Sequence, residues 1–288
     1  MIQARNKLSQ EELSEAKKLI NCCQAYDETY RDPYLSNMLN FDTNMPAFFL
    51  YYEKGELVGL LTVYADDPDV EVAILVHPNH RCQGIARALY RSFEKETASY
   101  PIESVTFQTE RVFLERHPDF VNNWGLVEDE ETETWLGKDR KPYPLANISN
   151  LEVLLADRSY QDQISQLKFQ AFSEEHESRE VVDRYVAKAL KDPESLLYIL
   201  LKNGQVIGTC TVDLSSHTNY LYGLAIAELE RGKGYGTYLA KSLINQLIEQ
   251  NDKAFQIAVE DSNLGAKRLY EKIGFVKQTQ VVYLKAKV

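Results

Sequence analysis

The sequence predicts an α+β protein made of two tandem domains, each a mixed, largely antiparallel twisted sheet flanked by helices. Three observations carry that expectation. The chain repeats itself: ELERGKGYGTYLAKSLI at 228–244 has a worn copy, NHRCQGIARALYRSF, at 79–93, which aligns Arg81 with Arg231, Gly84 with Gly234 and Ala86 with Gly236 at a separation of 150. GELVGLLTVY at 55–64 and GQVIGTCTVD at 204–213 lie 149 apart, as do WGLVEDE at 124–130 and IGFVKQT at 273–279. Several colinear matches at one spacing mark an internal duplication. Next, β-rich runs follow one another through tight turns, without the strict strand-helix alternation of a doubly wound domain. Last, GKDRKPYPLANISN at 137–150, with Pro142 and Pro144 among polar neighbours, reads as a linker. The expected domains are therefore residues 1–138 and 151–288, joined by a linker at 139–150.

The elements follow in order. IQARN opens the first half as a strand; Ser9 and Glu12 then make a capping box, and Leu13, Ala16, Leu19, Ile20 and Cys23 share one helical face. LEVLLAD opens the second half, followed by a helix with Ile164, Leu167, Ala171 and Phe172 on one face. A further helix after Ser178 carries Val181, Val182, Tyr185, Ala189 and Leu190. LLYILLK and QVIGTCTVD are joined by Asn203-Gly204, a strong hairpin signal. NYLYGLAIA is a strand leading into the glycine loop and a helix through Leu247, and FQIAVE is another strand. The helix NLGAKRLYEKI leads to FVKQTQVVYLKA, which reads as two closing strands.

Composition removes several function classes. No apolar run reaches the roughly 18 residues that span a bilayer, and MIQARNKLSQEELSEAKK resembles neither a secretion signal nor a transit peptide, so the cytoplasm is the expected compartment. The four cysteines (Cys22, Cys23, Cys82, Cys210) have no metal or redox spacing and read as reduced thiols in packed positions. The five histidines (His77, His80, His117, His176, His217) form no metal-binding motif, so no metal is expected. Net charge is −11, which argues against nucleic acid as a partner. The acid is concentrated: residues 1–150 hold 15 Lys/Arg against 25 Asp/Glu, and residues 151–288 hold 17 against 18. EDEETE at 128–133 is its densest run and reads as a solvated turn.

RGKGYG follows a strand and opens a helix, where unpaired backbone N–H groups and the helix dipole favour an anion, and glycines let backbone approach a phosphate closely. G-K-G lacks the G-K-[ST] of a P-loop, and G-x-G-x-G differs from the dinucleotide fingerprint. Downstream, NLGAKRLYEKIGF puts Asn263, Ala266 and Tyr270 on one helical face. Together these two motifs resemble the GNAT superfamily of N-acetyltransferases, whose signature is R/Q-x-x-G-x-G/A after a strand and then N-x-x-A-x-x-L-Y-x-K-x-G-F. The match is close over 220–275 and extends in layout to the whole second half.

The resemblance implies acetyl-CoA as the acyl donor. Its pyrophosphate would lie on the loop amides of Arg231, Gly232, Lys233, Gly234, Tyr235 and Gly236, with Thr237 beside them, and its pantetheine along Leu224, Ala225 and Ile226. It also implies that Asn263 contacts the pantetheine and that Tyr270 lies near the sulfur, where a neutral phenol can protonate a leaving thiolate. The acceptor is expected to be a primary amine of a small molecule or peptide, and the acidic first half is compatible with a cationic one such as a polyamine, an aminoglycoside or a protein N-terminus. Such an amine must shed a proton, and Glu260, at the end of the strand before Asn263, is the candidate base. Family members often carry a glutamate within the strand before the loop, and NYLYGLAIA has none; Tyr220 or Tyr222 could orient a water instead.

VAILVHPNHRCQGIARALY keeps the loop in the first half, but FLERHPDFVNNWGL puts Leu114 opposite Asn263 and Val121 opposite Tyr270, with Pro118 inside the expected helix. Glu71 lies in the strand before the first loop, where the second half has no carboxylate. The expectation is a catalytic second half and a degenerate first, in a monomeric pseudo-dimer or a homodimer. Two alternatives stand beside it: an acyl-CoA-binding sensor without turnover, and a dinucleotide-binding protein.

Overall fold

The computed structural model describes residues 1–146, 148–172 and 178–287. His176 lies outside the described residues, as does Asn147 of the linker. The chain forms two compact units, Met1–Thr134 with Gln278–Val288, and Trp135–Lys277.

The first unit begins with β1 (Ile2–Arg5), α1 (Gln10–Asp27), β2 (Phe48–Glu53), β3 (Glu56–Tyr64) and β4 (Asp69–Val76). It continues with α2 (Ile85–Thr97), β5 (Ser104–Glu110), α3 (Arg111–Arg116), α4 (Phe120–Trp124) and β6 (Leu126–Lys138). The capping box forms as expected: the Glu12 amide donates to Ser9 Oγ at 3.1 Å and the Ser9 amide to Glu12 Oε2 at 2.8 Å. Ala16, Leu19, Ile20 and Cys23 of α1 pack on Leu50, Leu57 and Leu60 of the sheet. Ile85, Leu89 and Phe93 of α2 pack with Phe49, Leu61 and Val63, which point the other way along the same strands. β1 to β4 pair antiparallel in sequence order, and β4 and β5 run parallel.

The second unit contains β7 (Leu151–Leu155), α5 (Gln161–Phe172), α6 (Arg179–Ala189), β8 (Ser195–Lys202), β9 (Gln205–Asp213) and β10 (Asn219–Ile226). α7 (Tyr235–Gln250), β11 (Phe255–Glu260) and α8 (Leu264–Lys272) complete it. Alternation along β8 divides its two cores. Leu197, Ile199 and Leu201 face α5 and α6 with Ile164, Val182 and Val186, while Tyr198 and Leu200 join Leu239, Leu243 and Leu247 of α7. The Asn203-Gly204 turn closes the β8–β9 hairpin with φ of 51° and 80°, and Lys54-Gly55 repeats it in the first unit at 51° and 86°.

The end of the chain differs from the expectation. FVKQTQVVYLKA contains one strand, β12 (Val276–Ala286), which pairs antiparallel with β5, Val281 opposite Glu110 and Tyr283 opposite Gln108. No Gly or Pro interrupts its alternation, so nothing in the backbone enforces the turn that two strands would need. The linker segment is also held: the Arg140 guanidinium donates to the carbonyls of Ile248 and Asn251, and the Tyr143 amide to Asn245 Oδ1 at 2.9 Å.

Candidate functional site

After β10 a single turn, Glu228–Glu230, leads into the glycine loop. Gly232 and Gly234 take left-handed φ of +74° and +85°, and no other group stands where their Cβ atoms would be. Gly234 occupies the N-cap of α7 without a side-chain cap, and the first helical bond runs from the Tyr238 amide to the Gly234 carbonyl at 3.0 Å. The amides between them therefore point out of the helix end as donors for an anion. Arg231 Nε donates to the Ile226 carbonyl at 3.0 Å, tying the loop to the strand it leaves. Glu230 accepts from Lys202 and from Lys233, at 2.9 and 3.0 Å, and those cations hold its carboxyl below the usual range.

β10 and β11 pair in parallel only over Asn219–Leu221 and Phe255–Ile257. Beyond that register β10 is bulged between Tyr222 and Ala225, with Gly223 at φ +58°. A bulge leaves backbone groups out of the ladder and re-aims the strand. Leu224, Ala225 and Ile226 thus lie past the stretch paired with β11, on a segment that ends at the loop, with Ala225 and Ile226 still paired to Thr209 and Gly208 of β9.

On α8, Asn263 is the N-cap; its Oδ1 accepts from the Ala266 amide at 3.1 Å. A Cβ at Gly236 would meet Leu269 Cδ1 at 3.1 Å, so glycine there lets α7 and α8 approach closely. Tyr270 is buried in the core with Leu239, Leu243 and Val259, in an edge contact with Phe275. Burial pushes its hydroxyl well above the ordinary phenol range, and the Cys210 thiol adds to the effect. The hydroxyl therefore stays protonated at neutral pH. Glu260 is exposed at the end of β11 and accepts from Ser262 Oγ at 3.4 Å. Tyr235 and Thr237 start α7, Lys233 sits in the loop, and Leu224, Ile226 and Tyr235 pack against the same core as Tyr270.

The structure adds residues that sequence reasoning passed over. Lys168, on the face of α5 that carries Ile164, is 5% exposed, whereas Phe172 of the expected apolar face is 51% exposed. Burial brings the Lys168 ammonium down to about 8. Tyr220 and Tyr222 stack at 5.9 Å, and Trp135 stacks on Tyr220 at 5.0 Å, lining the strand just before the bulge.

Comparison with known proteins agrees with this geometry. The sequence model described as the acetyltransferase (GNAT) family matches residues 13–140 and again residues 161–275. This chain belongs to the GNAT family. A curated relative, mycothiol acetyltransferase of Clavibacter sepedonicus, is 25% identical over 230 residues, which is 76% of this chain and 73% of that protein. A GCN5-related N-acetyltransferase from Sphaerobacter thermophilus superposes with a TM-score of 0.73 at 16% identity, covering 99% of this chain and 94% of that one. A tandem GNAT protein from the clavulanic acid biosynthesis pathway, solved without AcCoA, gives 0.70 at 14% identity, covering 100% and 99%. Both share the two-domain GNAT fold.

The two GNAT copies are not equivalent. In the first unit the loop keeps its shape, with Gly84 at φ +82° and Arg81 Nε on the Val76 carbonyl at 3.0 Å. Cys82 takes the place of Gly232 at φ +59° and is exposed, against the packed position expected for it, because the loop conformation turns its side chain outward. Arg81 is clamped by both carboxylate oxygens of Asp27, at 2.7 and 2.5 Å. β4 pairs with β3 in unbroken register with no bulge, and the helix opposite α8 is broken into α3 and α4 around Pro118. A cavity of about 690 Å³ nevertheless remains beside this loop, with Ile74, Arg81 and Phe107 in its wall. Glu71 is half-buried; desolvation raises its carboxyl to about 7, Arg31 opposes the rise, and Gln108 Nε2 donates to it. Among the described residues no group of His, Cys, Asp and Glu could hold a metal ion, and no helix is long and apolar enough to cross a membrane.

Proposed function

We propose that this GNAT protein transfers an acetyl group from acetyl-CoA to a primary amine, and that residues 151–277 perform the chemistry. The observation that carries the proposal is the bulged β10 running into an uncapped glycine loop, a combination present in the second unit and missing from the first. Donor amides of residues 232–237 suit a pyrophosphate, and the strand segment Leu224, Ala225 and Ile226, past the β11 pairing, suits the extended pantetheine. Asn263, the N-cap of α8, is the proposed contact to the pantetheine. Backbone freed by the bulge can donate to the thioester carbonyl as negative charge develops on it.

The acceptor arrives as an ammonium with an ordinary pKa of about 10.4, so forming the free amine at pH 7 costs roughly 4.6 kcal/mol. The amine then attacks the thioester carbon, the C–S bond breaks, and the sulfur takes the proton of Tyr270 Oη. A phenol whose pKa is raised by burial stays protonated until the thiolate forms beside it. Glu260 is the sequence candidate for drawing off the ammonium proton through water. The excess of carboxylates in residues 1–150 is compatible with a cationic small-molecule or peptide acceptor. Steady-state thiol release from acetyl-CoA with primary amines tests the reading. Tyr270→Phe should lose activity while still binding the donor; an unchanged rate would remove Tyr270 from the mechanism.

A further inference from the structure

Lys168 is an expensive residue to bury, because transferring an ammonium out of water without a carboxylate is strongly unfavourable. Its Nζ lies 3.4 Å from Thr211 Oγ1 and 5.7 to 6.0 Å from the ring centres of Tyr185, Tyr222 and Phe172. It also stands against the bulge: a Cβ on Gly223 would sit 2.7 Å from Nζ. Glycine at 223 therefore serves the left-handed backbone and makes room for the amine. The groups facing Nζ are Cys210 and Thr211 from β9, Tyr222 from β10 and Tyr185 from α6. None is a carboxylate among the described residues, and burial keeps the Cys210 thiol and the Tyr222 phenol neutral by raising each to about 12.

Resting on the acetyltransferase reading above, we propose that the Lys168 amine takes the proton from the acceptor ammonium at the bulge of β10. Burial favours the neutral amine and the three rings favour the cation, and burial prevails, leaving Nζ at about 8. A base poised there is half neutral near the pH at which it works. Glu260, by contrast, is a water-exposed carboxylate where β11 ends. The ammonium proton passes to Nζ, and the freed nitrogen pair forms the C–N bond. The C–S pair leaves on sulfur, which takes the Tyr270 proton; the resulting phenolate takes the surplus amide proton, and Lys168 returns its own to water.

The test uses the whole chain as wild type, Lys168→Met and Lys168→Arg. The Nζ resonance lost in Lys168→Met should titrate near pH 8 in wild type and move when acetyl-CoA is added. Thiol release from acetyl-CoA, with spermidine as the amine probe and with water alone, should fall roughly 10²- to 10³-fold in Lys168→Met. The acid limb near pH 8 should vanish, while the acetyl-CoA Kd stays within about two-fold of wild type. Lys168→Arg should not rescue the rate, since a guanidinium does not deprotonate. A wild-type rate and limb in Lys168→Met, or an Nζ that titrates above 10 and ignores acetyl-CoA, overturns the assignment and leaves the transferase reading standing. Failure of every form to bind acetyl-CoA overturns the transferase reading itself.

Discussion

Both carboxylate oxygens of Asp27 are gripped by the guanidinium of Arg81, at 2.7 and 2.5 Å, whereas Arg231, the corresponding residue of the second loop, donates to the Ile226 carbonyl. The two arginines stand at the same place in duplicated loops. One is engaged with an anion supplied by the chain; the other is bonded through Nε to a carbonyl of the strand it follows. Asp27 thus fixes the first loop internally, which lets that loop keep its conformation without a ligand.

Asp27→Asn should therefore act on stability and not on turnover. Asp27 is 4% exposed and its partner carries a full charge, so losing the charge-assisted pair should cost about 2–3 kcal/mol and lower Tm. Acetyl transfer per folded molecule should be unchanged. Calorimetric unfolding alongside a rate assay checks both parts.

Glu71 makes the first unit sensitive to pH. Its folded pKa, about 7, lies above the ordinary carboxyl value, so the folded state holds the proton more tightly. The stability it contributes is complete below about pH 4.5 and is lost as pH rises through 7. Glu71→Gln should remove that loss, making the variant more stable than wild type at pH 8 by about 2–3 kcal/mol, with the gap closing towards pH 4. Denaturant midpoints across that range measure it. The same variant should retain acetyl transfer, which Glu71 does not serve if the second unit is catalytic.

Gly223→Ala should impair both backbone and amine. The left-handed φ disfavours a Cβ, at a cost of about 1–2 kcal/mol, and the new methyl group would meet Lys168 Nζ at 2.7 Å. The expected result is a lower Tm with a rate loss close to that of Lys168→Met. A Tm loss with an intact rate would separate the bulge from catalysis.

Tyr270→Phe removes one oxygen from a buried ring that remains packed on Phe275. Thiol release should fall about 10²- to 10³-fold with the acetyl-CoA Kd unchanged. Thiolate leaving groups that need no proton, such as an activated aryl thioester, should show a smaller loss.

Much of this was readable from residue patterns. The separation of 149 to 150 residues held down to conformational detail, with Cys82 and Gly232 both left-handed and both hairpin turns at φ near 51° in their first residue. The capping box of Ser9 and Glu12 and the N-cap of Asn263 were legible because capping is a local, spacing-dependent interaction. Lys168 was not legible. Its spacing of four from Ile164 puts it on the buried face, but residue type assigns a lysine to water, and only the tertiary fold shows that its four-carbon stem carries the amine into the core. The bulge at Gly223 escaped for a similar reason: one glycine in a strand does not announce whether it serves a bulge, a bend or a close approach. The single closing strand β12 was missed because QTQ in its middle resembles a polar turn, while its alternation suits a strand equally well.

The central claim is that one working donor site exists and lies in the second unit. Calorimetric titration of the chain with acetyl-CoA, repeated on Gly234→Glu, tests it most directly. A glutamate there would force a side chain into φ +85° and put a carboxylate where the pyrophosphate should rest. One site of micromolar affinity, abolished by the substitution, is expected. Two sites, or one that survives it, would contradict the account by giving the donor to the Arg81 loop.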